Sequence, residues 1–416
     1  MLSTIGSLGD LYPVLALALA LEARGIRARL ALSPDDCAVA RDWGLDATAV
    51  GPSEAEVCAA LGLTRDGIAA SVLRDPGPLL SRALIPLLPA MTTQVRDLAR
   101  DAGCIAGTTF ALHASLAAER NALPYAPILL QPMVTFSAHD PPAVPAFRAA
   151  VRAPRNRLSL IWNRGIVAAA RAVLRRRHGA ELSAVRAGFD LSPQPGTPLL
   201  DHGAEVPLRL GLWSPSFASI PPDAPPNLRV TGFPPAPRGE LPDDIRRWIA
   251  AGPAPLIVTL GSIAQGLGGA RFWTEAVAMA REMGLRAILL HGSATVPEGS
   301  ELLARPYAPH APLFPLAAAI VHHGGIGTTT EALRSGRPQL VVPVGGDQPD
   351  NAARLVRMGV AVTVPIERFT ATRGGVALSA LLDRFDDAGA MDLAARITGE
   401  DGADNAAALL EGIVAR

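Results

Sequence analysis

The thirty residues from His322 to Asn351, HHGGIGTTTEALRSGRPQLVVPVGGDQPDN, constrain this chain more than any other stretch. The apolar run Ala319-Ile320-Val321 before it reads as a buried parallel strand. That strand ends in two histidines and the glycines Gly324, Gly325 and Gly327. Thr328-Thr329-Thr330-Glu331 then starts a helix, which Gly336 and Pro338 stop. Gln339 to Val342 is a second strand, broken at Pro343 into a loop carrying Gly345, Gly346, Asp347 and Gln348. A strand, a glycine turn and a helix start together make a place for an anion. The first N–H groups of a helix have no internal partner and lie at its positive end, and glycines let a phosphate come close to that backbone. In open α/β sheets, ligands lie outside the carboxyl ends of the strands. The order therefore points to a diphosphate on the Gly325–Thr328 turn, with polar groups of the next loop reaching what the diphosphate carries.

Each signal is weak alone. Thr328-x-x-Glu331 is also the pattern of a helix capping box, and glycines after a strand can be plain turn residues. A dinucleotide fingerprint is the specific competitor, and Gly325-Ile326-Gly327 begins one. Its third glycine position is Thr330, and an acidic residue follows Gly327 by four positions rather than about 20. A nicotinamide dehydrogenase is accordingly the least favoured reading.

The rest of the chain alternates strands and helices. Met1–Ile5 is a short first strand ending in Gly6-Ser7-Leu8-Gly9-Asp10, and a helix follows from Leu11 to Arg24 with Pro13 in its first turn. Strands are expected at Ile26–Leu32, Ala47–Val50, Cys104–Gly107, Tyr125–Leu130 and Leu208–Leu212, the last closing the first half. Helices are expected at Thr93–Asp101 and Leu112–Arg120, while Val57–Leu88 lines a cleft. A proline-rich linker at 216–242, carrying the short strand Leu228–Thr231, separates a first domain, 1–215, from a second, 243–390. In the second, strands fall at Leu256–Leu260, Arg286–Leu290 and Val360–Val364, and helices at Phe272–Met283 and Asn351–Met358. Helices in 391–416 pack back toward the first domain. The expected fold class is α/β, two doubly wound Rossmann-like domains facing a cleft.

Composition removes some functions. The 38 basic residues, all arginine, balance 38 acidic ones, so charge makes no case for nucleic acid. Without lysine there is neither a Walker A loop nor a lysine Schiff base. Cys37, Cys58 and Cys104 fit no zinc or redox spacing, which favours a reducing compartment. No signal peptide is evident, and Leu11–Leu21 is shorter than the roughly 20 residues that span a bilayer. The chain is read as cytoplasmic. Arg148–Arg186 is either a solvated face or a peripheral contact with anionic lipid at the inner face of the membrane.

The combination His323-x-Gly325-x-Gly327-Thr328-x-x-Glu331, Gly336-x-Pro338, Pro343 and Asp347-Gln348 resembles the donor-binding box of family 1 glycosyltransferases of the GT-B fold. Gly6-Ser7-Leu8-Gly9-Asp10-x-x-Pro13 looks like the start of their bacterial natural-product, rhamnosyl-type and sterol-type members. The resemblance implies that His323, Gly325, Gly327 and Thr328 hold the donor diphosphate and that Glu331 accepts from the ribose hydroxyls. It implies sugar contacts from Asp347 and Gln348 and places Ser262 near the phosphates. Tyr307 and His310 fall in the segment that packs on the base, and His310 stands where plant members carry glutamine. Asp10 falls at the position of the catalytic base; its structural alternative is a helix cap.

The implied activity is inverting, metal-independent transfer of a hexose such as glucose from a UDP- or dTDP-sugar to a hydroxyl of an apolar small molecule or lipid. The nucleotide sugar is a co-substrate; no cofactor is expected, and no Asp-x-Asp metal motif occurs. Two alternatives stay open: a nucleotide-sugar epimerase or hydrolase of the same fold, and a non-catalytic nucleotide-sugar-binding partner protein.

Overall fold

A computed structural model describes residues 1–235, 239–261 and 267–415. The chain forms two compact units, Met1–Pro235 with Glu400–Arg416, and Ala236–Gly399.

The first unit is built on a parallel sheet whose described strands are β1 (Leu2–Ser3), β2 (Leu30–Leu32), β3 (Ala47–Ala49), β4 (Ile105–Thr108), β5 (Tyr125–Leu129), β6 (Arg209–Gly211) and β7 (Leu228–Val230). Their order is β3-β2-β1-β4-β5-β6-β7. Leu2 pairs with Leu30 on one side and Ala106 on the other, so two residues suffice to make β1 an interior strand. The order reverses between β1 and β4, which opens a crevice at their carboxyl ends. β7 corrects the sequence reading twice. It is the edge strand of this sheet rather than part of a linker, and Leu208–Leu212 is not the last strand.

The helix Leu8–Ala23 starts three residues before the expected Leu11. Ser7 is its N-cap and Asp10 the third helical residue, the two joined in a capping box. Pro13 thus sits inside the helix rather than in its first turn. Leu15 and Leu17 of this helix pack with Leu2, Leu30 and Ile128 in one buried cluster, completed by Ala406, Ala407 and Leu410 from the far end of the chain. The terminal helix Gly402–Val414 is fastened there by Arg24, which donates to Asp404 at 2.8 Å and Glu411 at 2.9 Å. The helix before it, Asp387–Thr398, stays with the second unit and packs on the helix Ile326–Ser335. The segment from Val57 folds into helices, among them Ile85–Leu98, which begins eight residues before the expected Thr93. Pro86 occupies its first turn, where a missing N–H costs nothing. The arginine-rich stretch forms one 31-residue helix, Arg157–Ala187.

The second unit repeats the plan with β8 (Leu256–Thr259), β9 (Ala287–Leu290), β10 (Leu302–Arg305), β11 (Ala319–His322), β12 (Gln339–Val341) and β13 (Ala361–Thr363). All pairs are parallel in the order β10-β9-β8-β11-β12-β13. β10, not expected from the sequence, is an edge strand of mixed polarity whose Leu303 alone is buried. The order reverses between β8 and β11, where Thr259 and His322 are register partners. Residues 260–261 and 323 therefore leave the two strands at the same carboxyl edge.

Candidate functional site

β11 consists of four buried residues, Ala319 to His322. His322, the last of them, is a structural residue. Its Nδ1 accepts the Gly324 N–H at 3.2 Å and its Nε2 lies 3.0 Å from Gln339 Oε1 on β12. Burial holds its pKa down at about 4, so the ring is neutral and links the glycine turn to the neighbouring strand.

His323 follows at the switch point. Its ring occupies space that two glycines leave open: a Cβ on Gly261 or on Gly325 would collide with it. Gly261 also has φ +65, a left-handed conformation that glycine adopts without strain. Burial, then His322 and His310, press the His323 pKa down to about 3. Nδ1 of this neutral ring is enclosed and has no hydrogen-bond partner. Nε2 is the nitrogen beside Gly325. Gly324, at φ +89, passes so close to Gln348 that a Cβ would stand 3.2 Å from its carbonyl oxygen.

The helix then runs Ile326–Ser335 with Gly325 as N-cap and no side-chain cap. This corrects the capping-box reading of Thr328 and Glu331. Thr328 is the third residue of the helix rather than its cap. The glycine turn enters helical geometry two residues early, and the Thr329 N–H already bonds the Gly325 carbonyl at 2.9 Å. The N–H groups of Ile326, Gly327 and Thr328 precede that first internal bond and have no partner within the helix. Glu331 is buried one turn further on, with Oε1 held at 2.7 Å by Arg334. Burial pushes its pKa up against the opposing pull of Arg334.

Asp347 and Gln348 stand at the start of another helix, Gln348–Arg357, rather than in a free loop. Gln348 Oε1 accepts the Val344 N–H at 2.8 Å and the Gly345 N–H at 3.3 Å, leaving its amide nitrogen as the group not used by that loop. Asn351, which the sequence reading passed over, ties the two halves of the site together. Its Nδ2 donates to the Gly324 carbonyl at 2.9 Å and to Asp347 Oδ2 at 2.7 Å, and its Oδ1 is buried without a partner. Asp347 and Asn351 are four apart on one helix face, the only signal that could have revealed the contact. Gly261 was likewise legible only as the end of a strand.

Tyr307 is 63% exposed, and its ring centroid lies 6.4 Å from that of His310. His310 stacks on Phe314 at 4.5 Å, and burial lowers its pKa to about 4. The structure thus brings His310, His323, Gly325, Gly327, Thr328, Glu331, Asp347 and Gln348 to one edge of the second unit. Ser262 lies outside the described residues.

Asp10 belongs to the first unit, just past the end of β1. Its Oδ2 accepts the Ser7 N–H at 2.8 Å and the Ser7 hydroxyl at 3.0 Å. The capping role weighed from sequence is therefore real, although Ser7 is the N-cap. A Cβ on Gly6 would collide with the Asp10 carboxylate, so glycine makes room for it. Desolvation raises the Asp10 pKa, the two bonds from Ser7 oppose the rise, and Asp36 adds to it. A carboxylate of raised pKa suits proton abstraction.

Residues 275–408 match the family described as Erythromycin biosynthesis protein CIII-like, C-terminal domain. O-mycaminosyltylonolide 6-deoxyallosyltransferase of Streptomyces fradiae is 38% identical over 208 residues, an alignment that covers 48% of each chain. Glycosyltransferase GtfC of Amycolatopsis orientalis is 30% identical over 396 residues, covering 91% of this chain and 89% of that one. The crystal structure of glycosyltransferase VinC in complex with DTDP superposes with a TM-score of 0.68 at 20% identity, covering 100% of this chain and 99% of that one.

Proposed function

The chain belongs to the family 1 glycosyltransferases of the GT-B fold, and from that premise we propose that it transfers a hexose from a dTDP- or UDP-sugar to a hydroxyl of an apolar acceptor, with inversion and without a metal ion. The observation that carries the reading is the uncapped start of the helix Ile326–Ser335 beneath His323, at the point where the strand order of its sheet reverses. A diphosphate placed there takes the N–H groups of Ile326, Gly327 and Thr328 and the Nε2–H of a neutral His323. The helix dipole and these donors stabilise the charge that develops as the nucleoside diphosphate leaves.

Glu331, with one oxygen held by Arg334, offers the other to the ribose hydroxyls. Asp347 and the amide nitrogen of Gln348 take the sugar hydroxyls, and Tyr307 and His310 lie where the base packs. Asp10 takes the acceptor proton while the acceptor oxygen bonds to the anomeric carbon and the bond from that carbon to the diphosphate oxygen breaks. One displacement of this kind inverts the anomeric centre. The complex of VinC with DTDP and the natural-product substrate in the name of the Streptomyces relative support dTDP as the nucleotide and a natural-product acceptor.

The test is Asp10→Asn. Transfer is expected to fall by roughly two to four orders of magnitude, while nucleotide affinity, read by calorimetry, stays within a factor of about two. Transfer at the parental rate would remove Asp10 from the reaction. Donor consumed equally with and without acceptor would identify a hydrolase or epimerase instead.

A further inference from the structure

The exposed side of the helix Arg157–Ala187 has the chemistry of a surface made for contact. Between Pro141 and Ala180 the chain holds nine arginines and no aspartate or glutamate, although its total charge is zero. The inward side of the helix is fixed by Asn163, whose Nδ2 donates to the Ala138 carbonyl at 2.8 Å, and further on by buried Leu182 and Arg186. The outward side is not polar, as a solvated helix face would be. Leu158 is 79% exposed, Ile161 61%, Trp162 57% and Val173 50%. These residues recur at helical spacing with Ala169 between them, so they form one stripe along the first four turns or so, about 24 Å long. Arg157 and Arg164 run along one edge of the stripe, and Arg176 extends it at its far end.

Six of these arginines, all on the helix, divide into two groups. Arg171 is paired with Asp201, Arg175 donates to the Thr197 hydroxyl, and Arg177 is bound by Asp75. Arg157, Arg164 and Arg176 are exposed and make no ion pair among the described residues. We infer that this face docks on an anionic lipid surface, its apolar stripe seated in the headgroup layer and its free arginines on lipid phosphates.

The charge pattern selects this occupant. An apolar stripe with tryptophan, bordered by arginine, is the form of a helix lying in a membrane interface. A second copy of the same acid-free segment would bring like charges together. The assignment goes beyond sugar transfer and stands apart from the residues that bind the donor. It would let the enzyme collect an apolar acceptor from the lipid phase.

The experiment floats the full-length protein with vesicles of phosphatidylcholine alone and with vesicles containing phosphatidylglycerol. The protein is expected to rise with the anionic vesicles only and to be released by salt. Ile161→Asp places a charge on the stripe at a position exposed enough to leave folding intact and is expected to reduce flotation at least tenfold. Arg164→Glu with Arg176→Glu is expected to reduce it further than the single change, since each basic residue near an anionic surface contributes roughly fivefold. Arg396→Glu, an exposed charge change in the second unit, is expected to leave flotation unchanged. Failure of the parent protein to float, or equal flotation of parent and stripe variants, overturns the inference. So does a dimer, seen by sedimentation, that Ile161→Asp abolishes in a protein that never floats.

Discussion

Gly261 and His323 share a space with room for only one side chain: a Cβ on Gly261 would collide with the imidazole. Gly261 lies two residues past Thr259 and His323 one past its register partner His322, so the chain ends of β8 and β11 bring them together. In Gly261→Ala the ring must turn away from the glycine turn, and the new residue must also hold φ +65. Nucleotide affinity is expected to fall at least tenfold, about 1.4 kcal/mol. Unfolding is expected to become easier by about 1 kcal/mol, the cost of a left-handed non-glycine residue. Calorimetric titration with dTDP and UDP separates the two effects; unaltered affinity would show that His323 does not bind the diphosphate.

Ser7 opposes the rise that burial imposes on the pKa of Asp10, the proposed base. Both Ser7 bonds favour the carboxylate, and Ser7→Ala removes the one from the hydroxyl. The Asp10 pKa, already raised by burial, then rises further. A base works only when deprotonated, so transfer is lost as pH falls through that pKa. The acid limb of kcat/KM against pH is expected to move to higher pH in Ser7→Ala. The helix also loses its cap, about 1 kcal/mol. A limb that stays in place would assign the proton to another group.

Asn351 connects the glycine turn at Gly324 to Asp347, the carboxylate proposed to contact the sugar. Asn351→Asp keeps the shape, removes both N–H donors and sets a second carboxylate against Asp347. KM for the donor is expected to rise roughly tenfold with a smaller change in kcat, the mark of lost binding common to ground and transition states. A variant that lowers kcat at constant KM would place Asn351 in the chemical step instead.

The two ends of the chain share one core. Leu410→Ala opens a cavity in the buried cluster that also holds Leu17 and Leu30 and is expected to cost about 2–5 kcal/mol. Hydrogen exchange is the suitable measurement, because the loss belongs to one unit. Protection in the helix Leu8–Ala23 is expected to fall, while that in the helix Ile326–Ser335 holds.

Much of the donor half was legible before folding was considered. The strand, glycines and helix between Ala319 and Ser335 are local structure, set by burial and backbone freedom within a few residues. What the sequence left open or misplaced turned on hydrogen bonds with two local solutions. Thr328-x-x-Glu331 fits a capping box, yet Gly325 starts the helix early and leaves the N-terminus bare. Leu228–Val230 is too short to declare its sheet, and only pairing with β6 makes it the edge strand. β10 gave no periodic signal because one face of an edge strand can remain open to water.

The sequence by itself determined that the chain would build two parallel α/β sheets and that a glycine turn would meet a helix start near Gly325. Spacing and side-chain type are enough for that, because both act over a few residues. Tertiary structure decided which groups serve the site. It made His322 a strut and set His323 at the glycine turn, because one ring reaches Gln339 on the next strand and the other fills the space beside Gly261 and Gly325. It recruited Asn351 through one carbonyl and placed Leu410 against the first helix. These are contacts between residues distant in sequence, fixed by sheet order and close packing, and no local pattern encodes them.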